Sequence, residues 1–190
     1  MVEAETEEYA NDLDVPSYKA KYIYRKYFLH FIRLCVMSGI RPNSDIKHKD
    51  ITYTEKGNLT IKRSEKGMAT RKAFFQNEFI PLHEDFLKFK KKMGLSRKGN
   101  DWYFSHPQKN RNAQIGSRVK SFSRQWNRVV KSNKKLKNKV PYSLRHHYIT
   151  QAIYDNKPIS AIATQCGTST RMIDKTYFQE LQETQADIFS

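Results

Sequence analysis

Cysteines are scarce in this chain, and their placement excludes a disulfide-stapled fold. The 190 residues contain two cysteines, Cys35 and Cys166, which lie far apart in sequence and near apolar helix faces. Neither belongs to a Cys-x-x-Cys or Cys/His spacing, so the pattern predicts no metal site. A domain of this length can bury a sufficient core without disulfides. We therefore expect two reduced, buried thiols.

Long apolar runs are also missing. No segment approaches the roughly 20 consecutive apolar residues that a membrane-spanning helix needs. The N-terminus has no basic segment followed by an apolar one, which a secretory signal would require. We therefore expect a soluble, intracellular protein without a membrane partner.

Acidic side chains are few outside the N-terminus. The chain has 35 Lys and Arg against 19 Asp and Glu, a net charge of +16. Residues 1–14 hold six of the acids and no Lys or Arg, so the rest carries 35 basic against 13 acidic side chains. Such a field favours polyanions, because each neutralised phosphate releases condensed counterions. Nucleic acid is the predicted partner, with an anionic membrane surface or the ribosome as alternatives.

The spacing of apolar residues predicts a mainly helical domain with one small sheet. Apolar positions recur every three or four residues after Ser17, and Gly39 is a typical end for that helix. Alternating residues separated by turns predict three strands, at 51–54, 59–63 and 74–80. Further helices are predicted at 83–93, 115–129, 144–154, 159–166 and 171–177.

Four short segments carry side chains that can act on a phosphate. They are Met37-Ser-Gly-Ile-Arg-Pro-Asn-Ser, the Ser-Glu-Lys-Gly turn with Lys66, Pro141-Tyr-Ser-Leu-Arg-His-His-Tyr-Ile-Thr, and Cys166-Gly-Thr-Ser-Thr-Arg-Met-Ile-Asp-Lys-Thr-Tyr. Taken singly, each is ordinary, since most arginines and lysines are solvated and most tyrosines pack. The adjacent His146 and His147 do not face one ion on a helix, so we discount a metal pair.

In this order and spacing, the four segments resemble the catalytic domain of tyrosine recombinases of the phage-integrase kind. The resemblance covers roughly residues 17–180 and implies an α+β, mainly helical fold with a small three-stranded antiparallel sheet. It implies that Arg41 and Arg145 are the catalytic arginines and Lys66 the hairpin lysine. Tyr177, nine residues after Thr168, is then the nucleophile.

Three positions depart from the usual pattern of that family. Tyr142 stands where His is usual, Thr168 stands where His or Trp is usual, and Ser44 stands where an acid is common. The combination resembles phage and prophage members. Both hydroxyls can donate to a phosphate oxygen, so Tyr142 and Thr168 are assigned to orienting the phosphate. A phenol is a poor base at neutral pH, which leaves proton transfer by Tyr142 open.

The resemblance implies transesterification of a DNA phosphodiester. Tyr177 attacks phosphorus, forms a 3′-phosphotyrosyl link and frees a 5′-hydroxyl, so rejoining needs no ATP, metal or other cofactor. Planar guanidinium groups suit the charge on the non-bridging oxygens. Lys66 is the predicted general acid for the leaving oxygen, with Lys62 and Lys72 as rivals.

The resemblance also implies an organisation and partners. We expect an acidic flexible leader at 1–15, the catalytic domain at 16–177 and a tail at 178–190, with the N-terminal core-binding domain absent. The tail packs either on a neighbouring protomer or on its own core. The implied partner is double-stranded DNA at an attachment site, bound by a homo-oligomer, a tetramer in this family, in the bacterial cytoplasm. The isolated domain can be monomeric.

Basic runs at 88–98 and 109–139 are predicted to contact the DNA backbone, with a merely solvated basic face as the alternative. Two other functions stay open from the residues. One is a DNA-binding module that keeps the fold with impaired catalysis, because Tyr142 and Thr168 replace the usual groups. The other is an RNA- or ribosome-binding domain, for which the chain lacks a Gly-rich loop or an aromatic RNP-like strand.

Overall fold

The structure is a computed structural model that describes residues 19–63, 70–95, 98–109, 113–179 and 181–182. The predicted leader, Lys66 and the tail beyond residue 182 lie outside these residues. None of the described helices has the length and hydropathy needed to cross a bilayer. Both cysteines are free and buried, as predicted.

The chain is mainly helical. In order, the described elements are α1 (Lys19–Ser38), a 3-10 turn (His48–Asp50), β1 (Ile51–Tyr53), β2 (Leu59–Arg63), β3 (Arg71–Phe74), α2 (Phe79–Lys92), α3 (Ser123–Ser132), a second 3-10 turn (Lys134–Leu136), α4 (Ser143–Tyr154), α5 (Ile159–Cys166) and α6 (Thr170–Thr176). The predicted helices at the start of the chain and at 144–177 are confirmed to within three residues at each end.

The three strands form one antiparallel sheet in the order β1-β2-β3. Alternate residues face opposite sides, so Ile61 and Ala73 are buried while Lys62 and Lys72, opposite each other, are exposed. The Gln165 side chain continues the pairing beyond β3, because its amide bonds both backbone groups of Phe74, at 3.0 and 2.6 Å. This contact joins the sheet to α5.

The predicted strand at 74–80 is wrong. The strand ends at Phe74, and α2 begins at Phe79, four residues before the predicted start. Pro81 therefore lies in the first turn of a helix rather than after a strand. Proline is tolerated there because an N–H in the first turn has no intrahelical acceptor. Phe79 and Phe86 then share the buried face of α2.

The predicted helix at 115–129 is wrong in its first half. Helix α3 begins only at Ser123, and the described residues before it form a turn at 115–116 and an isolated bridge at Arg118. Val119 donates its N–H to Phe104 O at 2.9 Å, and Ser105 bridges Arg118. Pairing with this distant segment replaces the local helical bonds that the apolar spacing favoured.

Two hydrophobic clusters stabilise the domain. The larger surrounds α1 and contains aromatic side chains from several elements, among them Tyr27, Phe28, Phe31, Phe104 and Phe122. The smaller is built from α4, α5 and α6, with Ile149, Ile153, Ile162, Ile173 and Tyr177 among its members. The second cluster fixes the position of Tyr177 relative to α4.

Candidate active site

Arg145, near the start of α4, connects the ends of two other helices. Its Nη1 donates to the carbonyl of Gly39 at 2.9 Å and also to the carbonyl of Cys166. Gly39 directly follows α1, and Cys166 ends α5. Because a helix C-terminus carries partial negative charge, the two ends stabilise the cation, which is only 2% exposed. Gly39 precedes Arg41 by two residues and Cys166 precedes Thr168 by two, so three of the sequence segments meet here.

Gly39 is required at this junction for two reasons. Its φ is +65°, a left-handed conformation that favours glycine. A Cβ on Gly39 would also lie 2.3 Å from the ring of Tyr148 on α4. The close approach allows the carbonyl of Gly39 to reach Arg145.

A second guanidinium, which the sequence did not single out, lies on the same carbonyl. Arg71 of β3 donates to Gln165 O at 2.6 Å and to Cys166 O at 2.8 Å. A Cβ at Gly167, which has φ +64°, would lie 2.1 Å from its Nε. Arg71 therefore fixes the α5–α6 loop that carries Thr168. In the sequence, Arg71 looks like an ordinary solvated arginine of a strand, so nothing local predicts this role.

Tyr177 lies at the end of α6. Ser169 caps the start of this short helix, and its Oγ accepts from the N–H of Met172 at 3.1 Å. The Tyr177 side chain is 6% exposed, and its hydroxyl lies 2.6 Å from Nδ1 of His146. The phenol O–H donates in this pair when the imidazole nitrogen accepts. The nucleophile predicted from spacing is thus hydrogen-bonded to the residue that follows Arg145.

His146 also touches Tyr142. The imidazole centroid lies 5.2 Å from the ring of Tyr142 and 5.6 Å from the ring of Tyr177. Residues 142 and 146 are neighbours on one helix face, whereas His147 is turned by about 100° from His146. Sequence reasoning considered His146 only as half of a metal pair and so missed it. The available signal was its position four residues after Tyr142.

Arg41, Tyr142 and Thr168 lie two or three residues along the chain from the groups that meet at this junction. Arg41 is exposed in the loop after α1, and Ser44 anchors that loop through its Oγ, 2.6 Å from Val119 O. Tyr142 is 41% exposed immediately before α4. Thr168 is half-buried between α5 and α6. Lys66 lies outside the described residues, between β2 and β3 in the sequence.

The thiol of Cys166 is held in its neutral form. Burial raises its pKa to about 11, against the opposing effect of Arg145 and Arg71. At neutral pH it is therefore a poor nucleophile, because the thiolate is the reactive form. Burial likewise raises the pKa of Tyr148 to about 12.

A basic surface adjoins the site. Residues 102–154 contain 12 Lys and Arg and no Asp or Glu, a bias visible in the sequence. The loop before Tyr142 exposes Lys137 and Lys139. A pocket of about 570 Å³ lies between this loop and α4. Its lining includes His146, His147, Lys135 and Lys139.

Comparison with known proteins identifies similar structures but no similar sequence family. No protein-family model matches the chain, and no curated protein matches it significantly. A crystal structure of the XerH site-specific recombinase bound to palindromic difH substrate, a post-cleavage complex, matches with a TM-score of 0.67 and 21% identity over 98% of this chain and 50% of that chain. The pre-cleavage XerH–difH complex gives 0.65 and 20% over 90% and 47%.

A third match is the Tn1549 transposon integrase in complex with circular intermediate DNA, with a TM-score of 0.51 and 15% identity over 91% of this chain and 59% of that chain. The chain spans about half the length of the XerH chains that it matches. Its fold is that of the tyrosine-recombinase catalytic domain, mainly helical with a small three-stranded antiparallel sheet. The predicted fold class is confirmed.

Proposed function

We propose that this chain is the catalytic domain of a site-specific DNA recombinase or integrase that cuts and rejoins DNA through a 3′-phosphotyrosyl intermediate on Tyr177. The observation that carries the proposal is the junction at Arg145. Its guanidinium bonds Gly39, directly after α1, and Cys166, at the end of α5, and the chain leads from these residues to Arg41 and Thr168. Three separate stretches of sequence are thereby joined at one place.

The assigned roles follow from the chemistry of each side chain. Arg41, which is exposed, and the Nη2 edge of Arg145 stabilise charge on the non-bridging oxygens. One preorganised donor of this kind is worth about 3 kcal/mol of barrier. Tyr142 and Thr168 donate from hydroxyls to orient the phosphate. Lys66 protonates the leaving 5′-oxygen, with Lys62 and Lys72 as the alternatives.

The proposed substrate is double-stranded DNA. The acid-free stretch at 102–154 supplies a basic surface beside the site, and backbone contacts of this kind add affinity without sequence information. XerH and the Tn1549 integrase were crystallised with DNA. A homo-oligomer on an attachment site, a tail exchanged between protomers and a phage-type branch are the finer parts of the proposal.

A covalent trapping experiment tests this function. Duplexes with a randomised core and a nick are incubated with the chain, and SDS-resistant protein–DNA adducts are isolated and sequenced. A nick near the cleaved bond releases a short fragment, so rejoining is prevented and the adduct accumulates. We expect enrichment of one core sequence and complete loss of adduct in Tyr177→Phe. Tyr53→Phe, which alters a half-exposed tyrosine of β1, is the matched control.

The second candidate function is a DNA-binding module with impaired catalysis. The observation that favours it is the enclosure of Arg145, whose Nη1 is bound to two backbone carbonyls while the side chain is 2% exposed. Retained binding to the randomised duplexes with no adduct at any core sequence would support this module and contradict the enzyme. Loss of both binding and adduct would contradict both functions.

A further inference from the structure

The hydroxyl of Tyr177 has a defined hydrogen-bond partner that the roles above do not use. His146 Nδ1 lies 2.6 Å from Tyr177 Oη. The His146 side chain is itself exposed, whereas the tyrosine is 6% exposed. The buried phenol is therefore hydrogen-bonded to an imidazole that is open to solvent. A proton taken from Tyr177 can stay on this solvated imidazole.

We propose that His146 is a catalytic residue that accepts the phenol proton of Tyr177 as the tyrosine attacks phosphorus. The inference rests on the proposed recombinase function and adds a residue to it. Tyrosine is a weak nucleophile while protonated, and nucleophiles of this type are activated by an adjacent base. A general base must lie within about 2.6–3.2 Å of the proton donor, a condition that the pair meets.

The proton and electron balance is complete within the chain and its DNA. The bond from Tyr177 Oη to phosphorus forms, and the bond from phosphorus to the 5′-oxygen breaks. The phenol proton moves to Nδ1 of His146, and the leaving oxygen takes a proton from the general acid, assigned to Lys66. In the rejoining step the 5′-hydroxyl returns its proton to that acid, and His146 returns a proton to the phenol.

The geometry favours His146 over its neighbours for this role. Tyr142 approaches the imidazole at 5.2 Å between ring centroids, so it packs against the base. His147 follows on the next helical position and is turned away by about 100°. The imidazole ring is thus placed between Tyr142 and Tyr177. The titratable groups around it are Tyr142, His147, Tyr177, Lys135 and Lys139.

Two substitutions separate proton transfer from positioning. In His146→Asn, the amide oxygen takes the approximate place of Nδ1, so it can accept the hydrogen bond but cannot take the proton. In His146→Phe, the ring still packs between the two tyrosines but has neither capacity. His147→Asn is the matched control, since it makes the same change at the adjacent exposed position.

The rate of adduct formation is measured at saturating nicked DNA across a range of pH. We expect His146→Asn to slow it about 10²- to 10⁴-fold at neutral pH, the usual range for a general base, with DNA affinity within about twofold of the parent chain. The deficit should shrink as pH rises, because hydroxide then removes the phenol proton. The control should keep the parental rate and pH profile.

A purely structural role for His146 gives a different result, in which His146→Phe loses rate equally at every pH and His146→Asn keeps the parental rate. That result would overturn the inference while the parental adduct leaves the proposed function intact. No adduct from the parent chain would overturn the proposed function, and the catalytic role of His146 with it. As a readout without catalysis, ¹⁵N NMR of the imidazole should show Nδ1 unprotonated and shifted by Tyr177→Phe; an unchanged signal would also contradict the pair.

Discussion

Arg145 donates to the carbonyl of Gly39 across 106 residues of sequence, at 2.9 Å. The bond places a buried guanidinium against the end of α1, while its second bond reaches the end of α5. One side chain therefore joins two helix ends, and Arg71 supports the second of them. The candidate site and the stability of the domain are coupled at this residue.

The first prediction concerns that coupling. Arg145→Ala should lower the free energy of unfolding by about 3 kcal/mol, because the buried carbonyl of Gly39 loses its donor and the carbonyl of Cys166 keeps only Arg71. Urea unfolding measures the change through the midpoint and slope. Arg124→Ala, at an exposed position of α3, should shift the free energy by no more than about 0.5 kcal/mol. Equal effects of the two substitutions would mean that water satisfies the carbonyls.

The second prediction separates backbone strain from steric exclusion at glycine. Gly39→Ala combines a φ of +65° with a Cβ at 2.3 Å from the Tyr148 ring. Gly57→Ala has a similar strain, with φ +80°, and nothing within 4 Å of its Cβ. Left-handed backbone alone costs a non-glycine residue roughly 1 kcal/mol.

We expect Gly57→Ala to show that cost and Gly39→Ala to be destabilised by at least about 2 kcal/mol, because overpacking adds about 1–3 kcal/mol. The double variant with Tyr148→Ala should recover part of the loss at Gly39. Thermal or urea unfolding provides the measurement. A Gly39→Ala variant as stable as Gly57→Ala would contradict the close packing of Tyr148.

The third prediction is a loss of stability in acid. Tyr103 O–H lies 2.8 Å from His30 Nε2 and 2.9 Å from His83 Nδ1 in the core. Burial, followed by the nearby charge of Lys90, lowers the pKa of His83 to about 4, and burial lowers the pKa of His30 well below its ordinary value. Burial also lowers the pKa of His48 to about 4.

The direction of the pH effect follows from the coupling between protonation and folding. As pH falls below about 6.5, the unfolded chain takes up protons that the folded chain rejects, so stability present above about pH 6.5 is lost progressively toward about pH 4. Each unit of lowered pKa corresponds to about 1.4 kcal/mol, which makes the loss from His83 roughly 3 kcal/mol at most. Urea midpoints at neutral pH and about pH 5 should show it.

The acid slope should become shallower in His83→Gln, whatever the stability of that variant at neutral pH. His147→Gln alters an exposed histidine and should leave the slope unchanged. An unchanged slope in His83→Gln would show that other groups cause the acid sensitivity.

The fourth prediction concerns two lysines that face each other across the sheet. Lys62 of β2 and Lys72 of β3 are paired in the register and both exposed. Like charges directly opposite are destabilising. Lys62→Glu should therefore raise the free energy of unfolding by about 0.2–1 kcal/mol. Lys62 and Lys72 are the alternatives to Lys66 as general acid, a role that requires them to face the DNA. In that case Lys62→Glu should also weaken DNA binding at low salt and reduce its salt dependence.

Lys56→Glu is the control for charge, because it makes the same substitution in the β1–β2 turn outside the paired register. It should leave stability within about 0.5 kcal/mol. Stability falling in Lys62→Glu would contradict the repulsion. Equal DNA binding by both variants would place the sheet away from the DNA.

Spacing and order along the chain locate much of the candidate site. Tyr177 and Arg145 lie in segments whose helices the sequence predicts to within one residue, because apolar periodicity is a short-range signal. The contact between Tyr177 and His146 is not predictable in this way. It joins residues 31 apart and depends on how α6 packs against α4.

The role of Arg71 is not predictable from the sequence for the same reason, since its partner is far away in the chain. Its bond to Cys166 O spans 95 residues and links a strand to a helix end. Nothing local to a β-strand distinguishes an arginine that binds a distant carbonyl from one in solvent. The two wrong elements, at 74–80 and 115–122, have a related cause, because Phe79 turns its ring into the core as part of a helix and Val119 pairs with Phe104.

The sequence by itself determined the fold class, the basic excess and the bounds of α4, α5 and α6. These depend on side-chain periodicity, helix caps and net charge, all of which are short-range or additive. Only the tertiary structure decided which groups surround Tyr177 and Arg145. A buried guanidinium or phenol takes whichever acceptor the packing brings within hydrogen-bond distance, and here the acceptors come from helix ends and a neighbouring helix that are far away in the chain.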